Sequence, residues 1–174
     1  MPGLPPYGPM AIPFPPEFAG GGHEGFVVEF ELADGSTWAG NFEPGLGGLH
    51  DVRAHPNGHD VLVSSAGSLW QVDPATRVGE ELSSAVFSVW PDGGALVYSV
   101  QDIAFVCVGP TGVEWRTRRI SWDGFRELHI EGDRLAGEAW SPIENRWMPF
   151  VLDLATGAAE GGSYPVDPPW DQAR

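Results

Sequence analysis

Between His50 and Asp60 the chain runs His50-Asp51-Val52-Arg53-Ala54-His55-Pro56-Asn57-Gly58-His59-Asp60, with three imidazoles and two carboxylates within eleven positions. Imidazole nitrogens and carboxylate oxygens are the groups zinc takes from proteins. His50, His55, His59 and Asp60 are therefore the candidate metal ligands, with zinc the cofactor they would hold. Such a centre would support a metal-dependent hydrolase, because a bound zinc lowers the pKa of its water. The setting argues the other way. No HExxH pair is present, and Pro56-Asn57-Gly58 makes the segment a turn rather than a helix. The same residues serve equally well as turn and strand-end residues on a rim.

Trp140-Ser141-Pro142-Ile143-Glu144-Asn145-Arg146-Trp147 reads as a hairpin whose two tryptophans face each other. Exposed, they would form an aromatic platform for a carbohydrate, small ligand or peptide, with Glu144, Asn145 and Arg146 as polar contacts. Packed, they would only clasp the hairpin. The one basic cluster is Arg116-Thr117-Arg118-Arg119. On a strand Arg116 and Arg118 point one way and Arg119 the other, so it forms no continuous patch. Ion pairing with carboxylates of the same chain is the expectation. Cys107 lies in Ile103-Ala104-Phe105-Val106-Cys107-Val108, where alternation puts Ile103, Phe105 and Cys107 on one face. That pattern makes it a small core residue rather than a nucleophile. The sequence holds no GxSxG, no GxGxxG and no phosphate loop.

Composition narrows the partners. The 174 residues carry a net charge of −15, with nine basic residues against 24 acidic ones. Nucleic acid and anionic membranes are excluded as targets, since phosphate binding needs clustered Lys and Arg. A basic protein partner suits such a chain. All the basic residues are arginine, which removes Schiff-base, P-loop and Ser-Lys chemistry. A single cysteine can form no internal disulfide. The start of the chain has no basic, apolar leader, and no apolar run reaches membrane-spanning length, so the expected location is cytoplasmic.

The elements that must position these residues repeat. His55-Pro56-Asn57-Gly58 leads into Val61-Leu62-Val63, and Trp90-Pro91-Asp92-Gly93 leads into Leu96-Val97-Tyr98, with the two glycines 35 residues apart. Proline and glycine give both turns the same mechanics. A third copy begins at Glu131-Gly132-Asp133, 39 residues on. In this alignment His55 stands where Trp90 does and His59 where Gly94 does. Turns also close the copies at Asp73-Pro74-Ala75-Thr76, Gly109-Pro110-Thr111-Gly112 and Asp153-Leu154-Ala155-Thr156-Gly157. The spacing predicts an all-β protein of repeated antiparallel meanders, each 35 to 45 residues long.

These phrases resemble the blades of bacterial β-propellers over roughly Gly40 to Gly162. The whole chain is similar to a group of small uncharacterised bacterial proteins through Trp38-Ala39-Gly40-Asn41-Phe42-x-Pro44-Gly45 and Arg119-Ile120-Ser121-Trp122-Asp123-Gly124. That resemblance implies a fold and no activity. Three repeats and an N-terminal hairpin are too few for most closed rings, so a small or incomplete propeller-like assembly is expected, with a β-sandwich as the alternative.

Residues 1–22 form a Pro- and Gly-rich arm that also carries Tyr7, Ile12, Phe14 and Phe18. Its prolines argue against regular β-pairing. Either it packs along the body through its aromatic groups or it offers a Pro-rich ligand surface. Residues 23–162 form a single all-β domain, and 163–174 a Pro-rich tail able to lie over the fold through Tyr164 and Trp170. The functional expectation is a non-enzymatic binding protein, in its sharpest form an immunity- or antitoxin-like inhibitor of a basic protein.

Overall fold

Turn chemistry decides where the strands start and stop. The computed structural model describes residues 10–21 and 25–166, and its strands pair into four separate sheets. The first holds β1 (Ile12–Phe14), β2 (Phe26–Glu31) and β3 (Thr37–Phe42). The second is the meander β4 (Asp51–Ala54), β5 (Val61–Ser65), β6 (Ser68–Asp73) and β7 (Val78–Ser83). The third is β8 (Val89–Asp92), β9 (Ala95–Val100), β10 (Ala104–Gly109) and β11 (Gly112–Arg116). The fourth is β12 (Phe125–Glu131), β13 (Arg134–Ser141), β14 (Arg146–Asp153) and β15 (Ala159–Gly161). The all-β expectation holds, and the strands divide among four sheets rather than the two of a sandwich. Among the described residues no helix is long and apolar enough to cross a membrane.

The repeat alignment is correct in detail. Gly58, Gly93 and Gly132 each sit between the first and second strands of a meander, with φ of 79°, 49° and 62°. Only glycine reaches that region without steric cost. The closing turns likewise lie between third and fourth strands. Asp73 accepts hydrogen bonds from the Ala75 and Thr76 amides and the Thr76 hydroxyl; Asp153 accepts from the Thr156 amide and hydroxyl.

Equivalent residues also face the same way. The third residue after each turn glycine (Val61, Leu96, Leu135) points toward the preceding sheet. The fourth (Leu62, Val97) points toward the following one. Because side chains alternate along a strand, this register covers the second and third sheets on both faces. Three cores result. Phe14, Phe30, Trp38 and Phe42 of the first sheet meet Val63, Trp70 and Val72. Leu62 and Leu69 meet Leu96, Tyr98, Val106 and Val108. Val97, Phe105 and Cys107 meet Leu135, Ala139, Phe150 and Leu152. Phe105 and Cys107 share a face as expected, whereas Ile103 lies in the turn before β10. Two of these seams carry the same latch. The Trp38 indole donates to the Pro74 carbonyl at 3.0 Å, and the Trp115 indole donates to the Leu154 carbonyl at 2.9 Å.

The N-terminal segment departs from expectation. Despite Pro13, Ile12–Phe14 pairs in parallel with Gly40–Phe42 of β3. Proline is tolerated there because β1 is an edge strand and its missing N–H faces no neighbour. Phe14 is buried, with its ring stacked on Phe42 at 4.7 Å. A 3-10 turn, Pro16–Gly21, follows where no helical element was anticipated. Pro16 suits its start, since a first-turn N–H has no partner to lose. Tyr7 and Trp170 lie outside the described residues. Tyr164 packs against Trp122, ring centroids 4.6 Å apart.

Candidate functional site

The histidine-rich segment is spread out by its own turn. His55 is buried at 3% exposure. Its Nδ1 accepts the Asn57 amide at 3.1 Å, and its Nε2 has no hydrogen-bond partner among the described residues. His59 is exposed, with Nδ1 3.3 Å from Asp60 Oδ1. The other Asp60 oxygen accepts from Asn57 Nδ2 at 2.8 Å and from Gln71 Nε2 at 2.6 Å. His50 stands apart, edge-on to Phe26 and accepting the Ala66 amide. Among the described residues no group of three or more His, Cys, Asp or Glu side chains could hold a metal ion. Asp60 is occupied with closing the turn.

Burial lowers the pKa of His55 below its usual value of 6.5, with the Asn57 hydrogen bond opposing the shift. The folded chain therefore holds this imidazole neutral where the unfolded chain would charge it. Stability from this group is full above the unfolded pKa and is lost as pH falls below about 6.5. Melting temperature is expected to drop between pH 7 and pH 5, by a stability slope of at most about 1.4 kcal/mol per pH unit. The slope should flatten in His55→Gln; an unchanged slope in that variant would assign the pH dependence elsewhere.

The tryptophan hairpin forms as drawn from sequence. Trp140 and Trp147 are direct ladder partners, ring centroids 5.2 Å apart and tilted by 54°. Asn145 takes φ of 49° at the tip, and the Glu144 carboxylate pairs with Arg146 at 2.5 Å. The two indoles lie on the face of the fourth sheet that points away from the third, half-exposed. Arg126 caps Trp147 at 4.6 Å from its centroid and pairs with Glu138 at 2.5 Å.

The arginine cluster does different work from that expected. Arg118 donates to the Arg119, Gly161 and Tyr164 carbonyls, and Arg119 donates to those of Ser121 and Trp122. Carbonyls rather than carboxylates take these guanidinium groups, because residues 117–124 form an irregular connection whose backbone lacks ladder partners. The Arg119 guanidinium also stacks over Tyr164 at 4.6 Å.

One concavity escaped the sequence. An open cleft of about 300 Å³ lies at the seam of the third and fourth sheets. Asp92, the Gly93-Gly94 turn, Pro110, Glu114 and Leu154-Ala155 line it. Two carboxylates line it and no basic residue does. Glu114 can fold over β10 only because residue 109 is glycine: a Cβ there would stand 1.8 Å from Glu114 Oε1. Cys107 also lines it, its Sγ 3.9 Å from Glu114 Oε2. Burial, then the Glu114 and Asp92 charges, push its thiol up to about 11, so it stays protonated and unreactive at neutral pH. Asp92 and Glu114 stand 22 positions apart, at the end of the first strand and in the last strand of one meander. No spacing rule links them.

No protein-family model matches this chain, and no curated protein matches it.

Proposed function

We propose that this chain is a non-enzymatic binding protein, a propeller-like array of sheets whose acidic cleft receives a cationic side chain of a basic protein partner. An inhibitor of immunity or antitoxin type is the sharpest form of that reading. The observation that carries it is the cleft itself, where Asp92 and Glu114 face shared space with no basic residue in its lining. A guanidinium offers five donors in a planar fork and matches two carboxylates well. The net charge of −15 would steer such a partner from a distance. Many of the chain's own arginines are engaged elsewhere, with Arg53, Arg126 and Arg146 on neighbouring carboxylates and Arg118 and Arg119 on carbonyls. The propeller-like reading draws support from the equal facing of Val61, Leu96 and Leu135 across successive sheets.

A labelled oligoarginine peptide is the probe. Its affinity is expected to fall with salt, and Asp92→Asn with Glu114→Gln together should weaken it about tenfold at low salt, as two charge pairs of about 0.7 kcal/mol each would do. Glu80→Gln with Glu81→Gln, which neutralises the same charge away from the cleft, should cost less. Equal losses from the two pairs of substitutions would mean that diffuse surface charge, not the cleft, attracts the peptide.

A further inference from the structure

The first sheet stops where the others continue. Its β2–β3 hairpin corresponds to the third and fourth strands of a meander. Asp34 accepts from the Ser36 amide and hydroxyl, as Asp73 and Asp153 accept from their threonines. The Trp38 indole of β3 holds the Pro74 carbonyl as the Trp115 indole of β11, a fourth strand, holds that of Leu154. In the other three sheets the third strand also pairs with a second strand on its far edge. Among the described residues β2 has no such partner, since β1 pairs with β3 instead.

A row of backbone groups is left open. The Leu32 amide donates to the Ser36 carbonyl, and alternation along an antiparallel ladder then turns the backbones of Phe30, Val28 and Phe26 toward β3. The amides and carbonyls of Val27, Glu29 and Glu31 point to the open edge. The second sheet shows the same gap. Val52 and Ala54 of β4 lie opposite Val63 and Val61, on the face that meets the first sheet, and both are exposed, Val52 at 45%. Val89 and Leu128, on the first strands of the third and fourth sheets, instead pack against the sheet before them. The ring of Phe26, at the start of β2, stands 5.2 Å from that of His50, next to β4, so the open edge adjoins the uncovered strip.

We infer that an extended segment of a basic partner protein adds to β2 as an antiparallel strand, with alternate residues apolar against Val52 and Ala54 and basic beside Glu29 and Glu31. Antiparallel is the sense in which β5, β9 and β13 meet their third strands. Both glutamates are exposed and, among the described residues, neither pairs with a cation. A second copy docking edge to edge would set these glutamates against their own kind. The chain's terminal sequences lose ladder donors at Pro2, Pro5, Pro6, Pro9, Pro168 and Pro169. A strand from another protein meets both demands. Main-chain bonds give such a complex its affinity, and the alternating side chains its specificity. The site shares no residue with the Asp92–Glu114 cleft, so either reading can fail without the other.

Labelled peptides of alternating arginine and valine, added to the full chain at physiological salt, are the probe. An arginine opposite Glu29 points its own amide at β2, because opposed residues share a face and here exchange backbone bonds; the valine amides point away. N-methylation of the arginine amides is therefore expected to weaken binding at least about tenfold, through the loss of a few ladder bonds, while N-methylation of the valine amides leaves it unchanged. Equal affinities of the two methylated peptides overturn the inference, since both carry the same charge. Glu29→Gln with Glu31→Gln should weaken the unmodified peptide more than Asp92→Asn with Glu114→Gln. The reverse order would put the peptide in the cleft and overturn strand addition. Amide exchange at Val27, Glu29 and Glu31 should be fast in the free chain and slow once the peptide is bound. Slow exchange in the free chain overturns the inference too, because the edge would already be covered.

Discussion

Gly67→Ala is expected to cost more than about 3 kcal/mol, a large fraction of the about 5–15 kcal/mol that stabilises a typical domain. Gly67 closes the β5–β6 hairpin at φ of 88°, where a Cβ-bearing residue pays about 1–2 kcal/mol. Space is the larger obstacle. The added Cβ would stand 2.7 Å from the Cα and N of Gly47 and from the Val86 carbonyl oxygen. All three are backbone atoms held in place. The Gly67 amide donates to the Leu49 carbonyl, and the Val86 amide donates to the Gly67 carbonyl, so the hairpin cannot back away without breaking both bonds. Gly48→Ala is the control, because nothing lies within 4 Å of its added Cβ. Urea unfolding should separate the two variants clearly. A loss under about 1 kcal/mol in Gly67→Ala would mean that the loop over this hairpin is free to move.

Phe14→Ala is expected to cost about 3–5 kcal/mol, the range for emptying a buried phenylalanine site. The ring is 4% exposed and sits among Phe42, Trp70 and Trp38, at centroid distances of 4.7, 5.7 and 6.3 Å. It also reaches the second sheet, where a Cβ on Gly79 would stand 2.7 Å from its Cε1. Removal therefore opens a hole between two sheets. Phe14→Leu, which keeps most of the volume, should recover more than half of the loss. If Phe14→Ala melts with the wild type, the segment before β2 contributes nothing to the core and its pairing with β3 is incidental.

The sequence by itself determined the local grammar of this protein. Pro-Asn-Gly, Pro-Asp-Gly and Glu-Gly-Asp announced chain reversals, since proline fixes φ and glycine alone reaches positive φ without steric cost. Alternation between such turns assigned Phe105 and Cys107 to one buried face, and the equal spacing of the copies announced several similar sheets. The tryptophan pairing across 142–145 was equally legible, because it depends on a short loop and a two-residue period.

Tertiary structure decided the rest, for reasons of range. Counting imidazoles between 50 and 60 could not show that His55 is buried while Asp60 is taken by Asn57 and by Gln71 of the neighbouring strand, because burial and cross-strand bonds exist only in the folded sheet. Pro13 argued against pairing until β3 offered an edge that makes no demand on its missing N–H. The cleft needed a sheet seam, a glycine under Glu114 and the Leu154 turn of another repeat to bring two distant carboxylates into one space. Turn conformation is a property of four adjacent residues, whereas the space Asp92 and Glu114 share exists only once the third sheet, on whose two edge strands they stand, has paired and met the Leu154 turn.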